Sequence, residues 1–140
     1  MNSEGPDLVL ASASPRRREL LQRVGLRLRI AAPEVDEMPR PGETAADYVR
    51  RMAADKLAAA LHAQQPSAAA EPAPAPLATL AADTIVILRG AILGKPRDEA
   101  DARAMLERLS GHRHEVTTAY RIAFGAHGAD RAVSDRKSVV

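Results

Sequence analysis

Asp83 interrupts an otherwise nearly continuous apolar run from Leu77 to Leu88. A carboxylate left unpaired in such a run costs several kcal/mol or takes up a proton, so this one must have a partner or a task. The task would be that of a general base aimed at water or of a metal ligand, with Thr84 beside it to offer a hydroxyl contact. The structural alternative is an aspartate at a strand end, satisfied by backbone amides.

A second group is basic. Ser12-Ala13-Ser14-Pro15-Arg16-Arg17-Arg18 follows the apolar run Leu8-Val9-Leu10-Ala11 and leads into Glu19-Leu20-Leu21. Ser14 suits an N-cap and Pro15 a first helical position, so free amides and the positive end of a helix dipole face this loop. Three arginines in that first turn oppose the dipole, a conflict that a multiply charged anion would remove. Without an anion, the segment is a solvated basic turn. Lys56 and the loop Gly94-Lys95-Pro96-Arg97-Asp98 add further cations. Glu34, Asp36 and Glu37, in a proline-bounded loop, offer the oxygen ligands a hard divalent cation takes. Each has a plainer reading: a lysine snorkelling to water, a stiff turn, a solvated acidic loop. His112 and His114 share one face of a strand but lack a further ligand cluster, and His62 and His127 read as surface residues. Neither a Ser-His-Asp arrangement nor the P-loop pattern is present.

The elements that must carry these groups follow from periodicity. Leu8–Ala11 reads as a strand, residues 15–24 as a helix, and Leu26–Ile30 as a strand with one solvated face. Thr44 and Asp47 make a capping-box-like start to a helix over about 45–62, whose apolar stripe is Tyr48, Val49, Met52, Ala53, Leu57, Ala60 and Leu61. Lys56 lies on or beside that stripe. Asp47, Arg51 and Asp55, four apart, read as ordinary surface pairs. Residues 63–76 are low-complexity and rich in alanine and proline, a surface loop within one domain spanning 1–140. Leu77–Leu88 predicts a strand buried on both faces. Arg89-Gly90 predicts a hairpin turn into Ala91-Ile92-Leu93, and Asp98 caps a helix with Met105, Leu106 and Leu109 as its apolar face. His114–Phe124 is a further strand, with Val116, Thr118, Tyr120 and Ile122 on one side, followed by a turn at Gly125–Gly128. Ser138-Val139-Val140 reads as the opening of another strand, cut short. Strands alternating with helices predict a layered α/β domain.

Composition narrows the function. The chain has 140 residues, 46% of them apolar, enough for one domain with a core. No apolar run approaches the roughly 20 residues of a membrane span, and the N-terminus lacks the pattern of a signal peptide. The absence of cysteine removes disulfides, thiolate nucleophiles and cysteine zinc sites, and suits the cytoplasm. A net charge of +2, with two Tyr, one Phe and no Trp, argues against nucleic acid as a partner.

In order along the chain, Leu8–Leu21, Val35-Asp36-Glu37, Tyr48–Ala53 with Lys56, Ala82–Val86, Gly94–Asp98 and Leu109–Val116 resemble the motifs of the Maf family of nucleoside triphosphate pyrophosphatases. The resemblance implies an α/β fold of the Maf and inosine-triphosphatase-like type, with a central mixed sheet flanked by helices and a nucleotide cleft between lobes. It implies hydrolysis of a nucleoside triphosphate to the monophosphate and pyrophosphate with a divalent cation, Mg²⁺ or Mn²⁺. Clearance of non-standard nucleotides and assembly as a homodimer are compatible with it. Carried over by position, Asp83 matches the proton acceptor, and Ser12, Arg16, Arg17, Lys56 and Lys95 match positions lining the phosphate chain. Glu37 matches an acidic position near metal or water, so Asp83 and Glu37 are the implied metal ligands. Arg16 and Thr84 match positions of substrate selection, and Asp83-Thr84 resembles the branch acting on dTTP and UTP. A glutamine in a Gly-Ile-Gln-Gly-like segment has no counterpart, nor do the family's C-terminal strands and helices, so the C-terminal part is expected to be missing. The alternative is a nucleotide-binding or septum-associated interaction protein that does not turn over.

Overall fold

The computed structural model describes residues 5–65, 68–69, 75–125 and 130–139. In chain order the elements are β1 (Leu8–Ala11), α1 (Pro15–Arg23), β2 (Leu28–Ile30), α2 (Ala45–Ala63), β3 (Ala78–Leu88), β4 (Ala91–Leu93), α3 (Glu99–Leu109), β5 (His114–Phe124) and β6 (Asp130–Val139). The strands form one mixed sheet in the order β2-β1-β3-β5-β6, with β4 paired to β3. β1 runs parallel to both β2 and β3, whereas β4 and β5 run antiparallel to β3 and β6 antiparallel to β5. The parallel pairs need crossovers, and α1 and α2 provide them.

Both crossover helices start where capping chemistry places them. Ser14 accepts a hydrogen bond from the Arg17 amide with Pro15 in the first turn, and Thr44 accepts one from the Asp47 amide. The predicted stripe of α2 is its buried face: Tyr48, Val49, Met52, Ala53, Leu57 and Ala60. Its first half packs on Ile85 and Ala119, and its second half on Ala11, Ala81 and Ala123. Alanines on both sides of this contact let the helix lie close to the strands, so the core is thin and tightly fitted.

Three expectations are corrected, on β3, on α3 and at Ser138, whereas the shared side of Val116, Thr118, Tyr120 and Ile122 on β5 holds. Two-sided burial holds for only the first half of β3: from Asp83 onward several side chains are half-buried, and Thr84 is exposed. On β5 the residues sealed under α2 are Thr117, Ala119 and Ala123, because the small residues of α2 require small partners. The bulkier set of Val116, Thr118, Tyr120 and Ile122 lies on the other, more open face, where Tyr120 and Phe124 are exposed. On α3 the half-buried stripe is Ala102, Met105 and Leu109, while Leu106 points into solvent, since α3 lies at the periphery with no fully buried residue. Ser138 and Val139 close a ten-residue strand rather than open one, because the free edge of β5 pairs β6 along nearly its whole length. Much of the Ala/Pro loop, residues 126–129 of the expected turn, including His127, and Val140 lie outside the described residues. The hairpin turn at Arg89-Gly90 takes φ of 51° and 79°, the left-handed pair that a two-residue turn requires.

Candidate active site

The position of Asp83 follows from the register of β3. β1 pairs this strand's edge only up to Ala11 opposite Ala81, and β4 pairs it only from Leu93 opposite Val86. β5 covers the other edge throughout. A gap therefore opens along one edge of β3 at residues 82–85, with the loop leaving β1 and the loop leaving β4 both running into it. Crevices of this kind, outside the carboxyl end of a parallel strand, are where open α/β sheets bind ligands.

Asp83 lies between Ala81 and Ile85, on the face covered by α2. Its partner is a side chain and not a backbone amide: Lys56 Nζ donates to Asp83 Oδ1 at 3.1 Å. Glu37 Oε1 lies 3.7 Å from the same ammonium. The Lys56 and Asp83 side chains are 15% and 18% exposed, enough shelter to strengthen the pair while leaving it open to a small ligand. The lysine on the apolar stripe thus sits between two carboxylates instead of snorkelling to water.

Arg17 occupies the gap from the other side. Its Nη1 donates to Ser12 Oγ at 3.0 Å and to the Ala82 carbonyl at 3.3 Å, and its Nη2 donates to Thr84 Oγ1 at 2.8 Å. The carbonyl is one that a longer β1 or β4 would have taken. Burial lowers the guanidinium pKa and the charge of Asp83 opposes that shift, so Arg17 stays a cation at neutral pH. Ser12 is buried and also accepts from the Ser14 amide at 3.2 Å, which tightens the turn into α1. Thr84 Oγ1 meets Thr118 Oγ1, directly opposite on β5, at 2.9 Å. Asp83 and Thr84 are adjacent in sequence yet face opposite sides of the sheet, so Thr84 serves Arg17 and not the carboxylate.

Arg16 and Lys95 are exposed and, among the described residues, hold no hydrogen bond or ion pair. Their place on the two loops entering the gap leaves both cations available to a ligand. Of the eight residues singled out by sequence, the structure joins Ser12, Arg17 and Thr84 in one network and Lys56, Asp83 and Glu37 in another, across a single strand.

Sequence reasoning missed three contributors. Arg51 is no ordinary surface pair: its side chain is 14% exposed, with Nε and Nη2 donating to the two oxygens of Glu43 at 2.6 and 2.8 Å. These bonds hold the Glu43 carboxyl down to about 2. Tyr48 Oη donates to the Glu37 carbonyl at 2.7 Å, and burial, followed by the charges of Asp83 and Glu37, raises its pKa. Thr118 was one threonine in a strand, and only the pairing of β3 with β5 marks it. A cleft of about 620 Å³ beside the start of α2, lined in part by Glu43, Val49, Ile87 and Thr117, contains none of the sequence-predicted site residues. The buried Thr117 hydroxyl at its wall has no hydrogen-bond partner among the described residues.

Residues 7–139 match the family described as Maf-like protein. The chain belongs to the Maf-like family. It is 50% identical over 125 residues to the dTTP/UTP pyrophosphatase of Methylococcus capsulatus, a match covering 89% of this chain and 57% of that relative. It is 45% identical over 136 residues to the dTTP/UTP pyrophosphatase of Myxococcus xanthus, covering 97% of this chain and 64% of the relative. The chain thus spans less than two thirds of the length of these curated Maf-like relatives. Among solved structures it is similar in fold to the Staphylococcus aureus Ham1 protein, with a TM-score of 0.57 at 15% identity over 94% of this chain and 69% of that one. The expected α/β fold with a mixed sheet flanked by helices is borne out.

Proposed function

We propose that this Maf-like chain carries the catalytic half-site of a nucleoside triphosphate pyrophosphatase that hydrolyses dTTP and UTP to the monophosphate and pyrophosphate. The observation that carries this reading is the Lys56–Asp83 pair at 3.1 Å, facing the gap that Arg17 borders from the other side. The names and identities of the relatives support the substrate class.

Hydrolysis adds water across the α–β phosphoanhydride. The water oxygen bonds to one phosphorus, the bridging oxygen leaves with the other, and one water proton must be accepted. Asp83 is the acceptor. Lys56 engages Oδ1, and Oδ2 has no hydrogen bond among the described residues, so it is the oxygen left to orient water and take its proton. Ser12, Arg16, Arg17, Lys56 and Lys95 neutralise the phosphate chain, with arginine suited to forked contacts and lysine to point charge. Thr84 and Arg16 bear on the choice of base.

The donor chemistry fits a divalent metal of the kind that borrows its ligands. Asp83 and Glu37 supply two carboxylates flanking one ammonium, and no cluster of three or more metal-binding side chains occurs among the described residues. Magnesium held by one or two carboxylates plus substrate phosphates needs no more, and it would supply Lewis-acid stabilisation of phosphate charge. Asp83 and Glu37 are the residues that would hold it.

The test is titration of UTP and dTTP against CTP and seven-methyl-GTP, following both binding and pyrophosphate release. Preference for UTP and dTTP that is lost in Thr84→Ala, with all four nucleotides bound more weakly in Arg17→Lys, supports the reading. Equal handling of all four nucleotides overturns the substrate assignment, and binding without release assigns the chain a nucleotide-binding role instead.

A further inference from the structure

Residues 31–44 join β2 to α2 without regular secondary structure, and they carry Glu37. A loop of that length leaves its middle poorly placed unless something ties it down. The ties come from one helix turn. Arg51 grips both oxygens of Glu43, and its Nη2 also donates to the Met38 carbonyl at 3.0 Å. Tyr48, three residues earlier, donates to the carbonyl of Glu37, so two consecutive loop carbonyls are held by neighbouring side chains of α2. The guanidinium lies 5.6 Å from the centroid of the Tyr48 ring, which links the two grips. Glu43 Oε1 closes the loop on itself by accepting from the Arg40 amide at 3.1 Å. The bond to Asp55, 3.3 Å long and on a 42% exposed carboxylate, is the only part of the set that resembles a surface i,i+4 pair.

We propose that Arg51 is a positioning residue: the Arg51–Glu43 fork, with Tyr48, clamps the loop so that the Glu37 carboxylate stands beside Lys56 and Asp83. The functional half of this proposal rests on the pyrophosphatase reading. Lysine cannot replace arginine here, because one ammonium cannot hold two carboxylate oxygens and a carbonyl in a fixed plane.

Hydrogen exchange on peptides from residues 31–44 tests the clamp directly. Arg51→Lys is expected to speed loop exchange at least tenfold while the β3 peptides keep their protection. Glu43→Gln, a gentler change that leaves the arginine in place, is expected to do the same to a lesser degree. Unchanged loop exchange in both variants overturns the proposal. The route through Glu37 is tested by a double-mutant cycle on pyrophosphate release. Arg51→Lys is expected to lower kcat roughly 10–100-fold, the usual consequence of loosening a supporting residue. In a Glu37→Gln background it should add less than about twofold, since the positioned group is already gone. Losses that multiply would show that Arg51 acts on the whole fold and not through Glu37. A wild-type chain that releases no pyrophosphate would defeat the pyrophosphatase reading, while the exchange measurement would still decide the clamp.

Discussion

Arg17 and its acceptors show how single residues divide the work. A guanidinium reaching Ser12, Ala82 and Thr84 at once is fixed in plane before any ligand arrives, so on the proposed reading little would be lost in ordering it on a phosphate. Arg17→Lys keeps the charge but loses the fork, and KM for UTP is expected to rise roughly tenfold or more with a smaller change in kcat. Arginine cannot accept a hydrogen bond, so the Thr84 and Thr118 hydroxyls share their two protons between one mutual bond and one outward donor. Thr118→Val removes the partner, and kcat/KM for UTP should fall about two- to tenfold, the equivalent of about 0.5–1.5 kcal/mol. Thr118→Ser should restore it, and an unchanged Thr118→Val would show that the hydroxyl pair is idle. Asp83 was legible in the sequence because a carboxylate in an apolar run is costly. Its partner was not, because pairing Lys56 with Asp83 requires knowing which face of β3 lies under α2.

At the scale of elements, α2 does two jobs on two faces. Its apolar stripe seals the sheet, and Met52, 1% exposed, is among the largest of its fully buried side chains. Met52→Ala is expected to cost about 2–5 kcal/mol in urea denaturation, mostly as cavity. Its other side holds the loop of Glu37. The Glu43 carboxyl, ordinarily near 4.5, titrates at about 2 in the folded chain. A depressed pKa means the unfolded chain binds the proton first, so the clamp stabilises the fold fully above about pH 4.5 and loses that contribution as pH falls toward 2. The stability gap between wild type and Glu43→Gln should therefore narrow between pH 5 and pH 3, and a gap that stayed constant would contradict the assignment. Helix periodicity and capping residues placed α2 to within one residue at each end. They were blind to the Arg51 clamp because spacing of four looks the same on a solvated face and against a loop. β6 was read only at its last residues for a related reason: the stretch before Ser138 is too polar to read as a strand, and what forms it is the free edge of β5.

For the whole molecule, the sheet is covered unequally. One face lies under α2, whereas the other exposes Tyr120 and Phe124, with Leu20 of α1 and Val24 just after it also open to solvent. Exposed apolar residues on this scale bind hydrophobic dyes, and Phe124→Ser with Val24→Ser is expected to lower dye fluorescence without lowering cooperativity of unfolding. No helix among the described residues is long and apolar enough to cross a membrane. The order of motifs made the family legible from the sequence, and the match over residues 7–139 bears it out. The gap at residues 82–85 was not legible, since it arises from where β1 and β4 stop along a shared edge, which no single segment encodes. The loops of Ser12 and Lys95 both run into that gap beside Asp83.

The measurement that bears most directly on the central claim is pyrophosphate release from dTTP and UTP with magnesium or manganese, run beside Asp83→Asn. Turnover of both nucleotides is expected, falling about 10²–10⁴-fold in the variant while nucleotide binding persists. Equal release by the two proteins, or none from a folded wild-type chain that binds UTP, would contradict it.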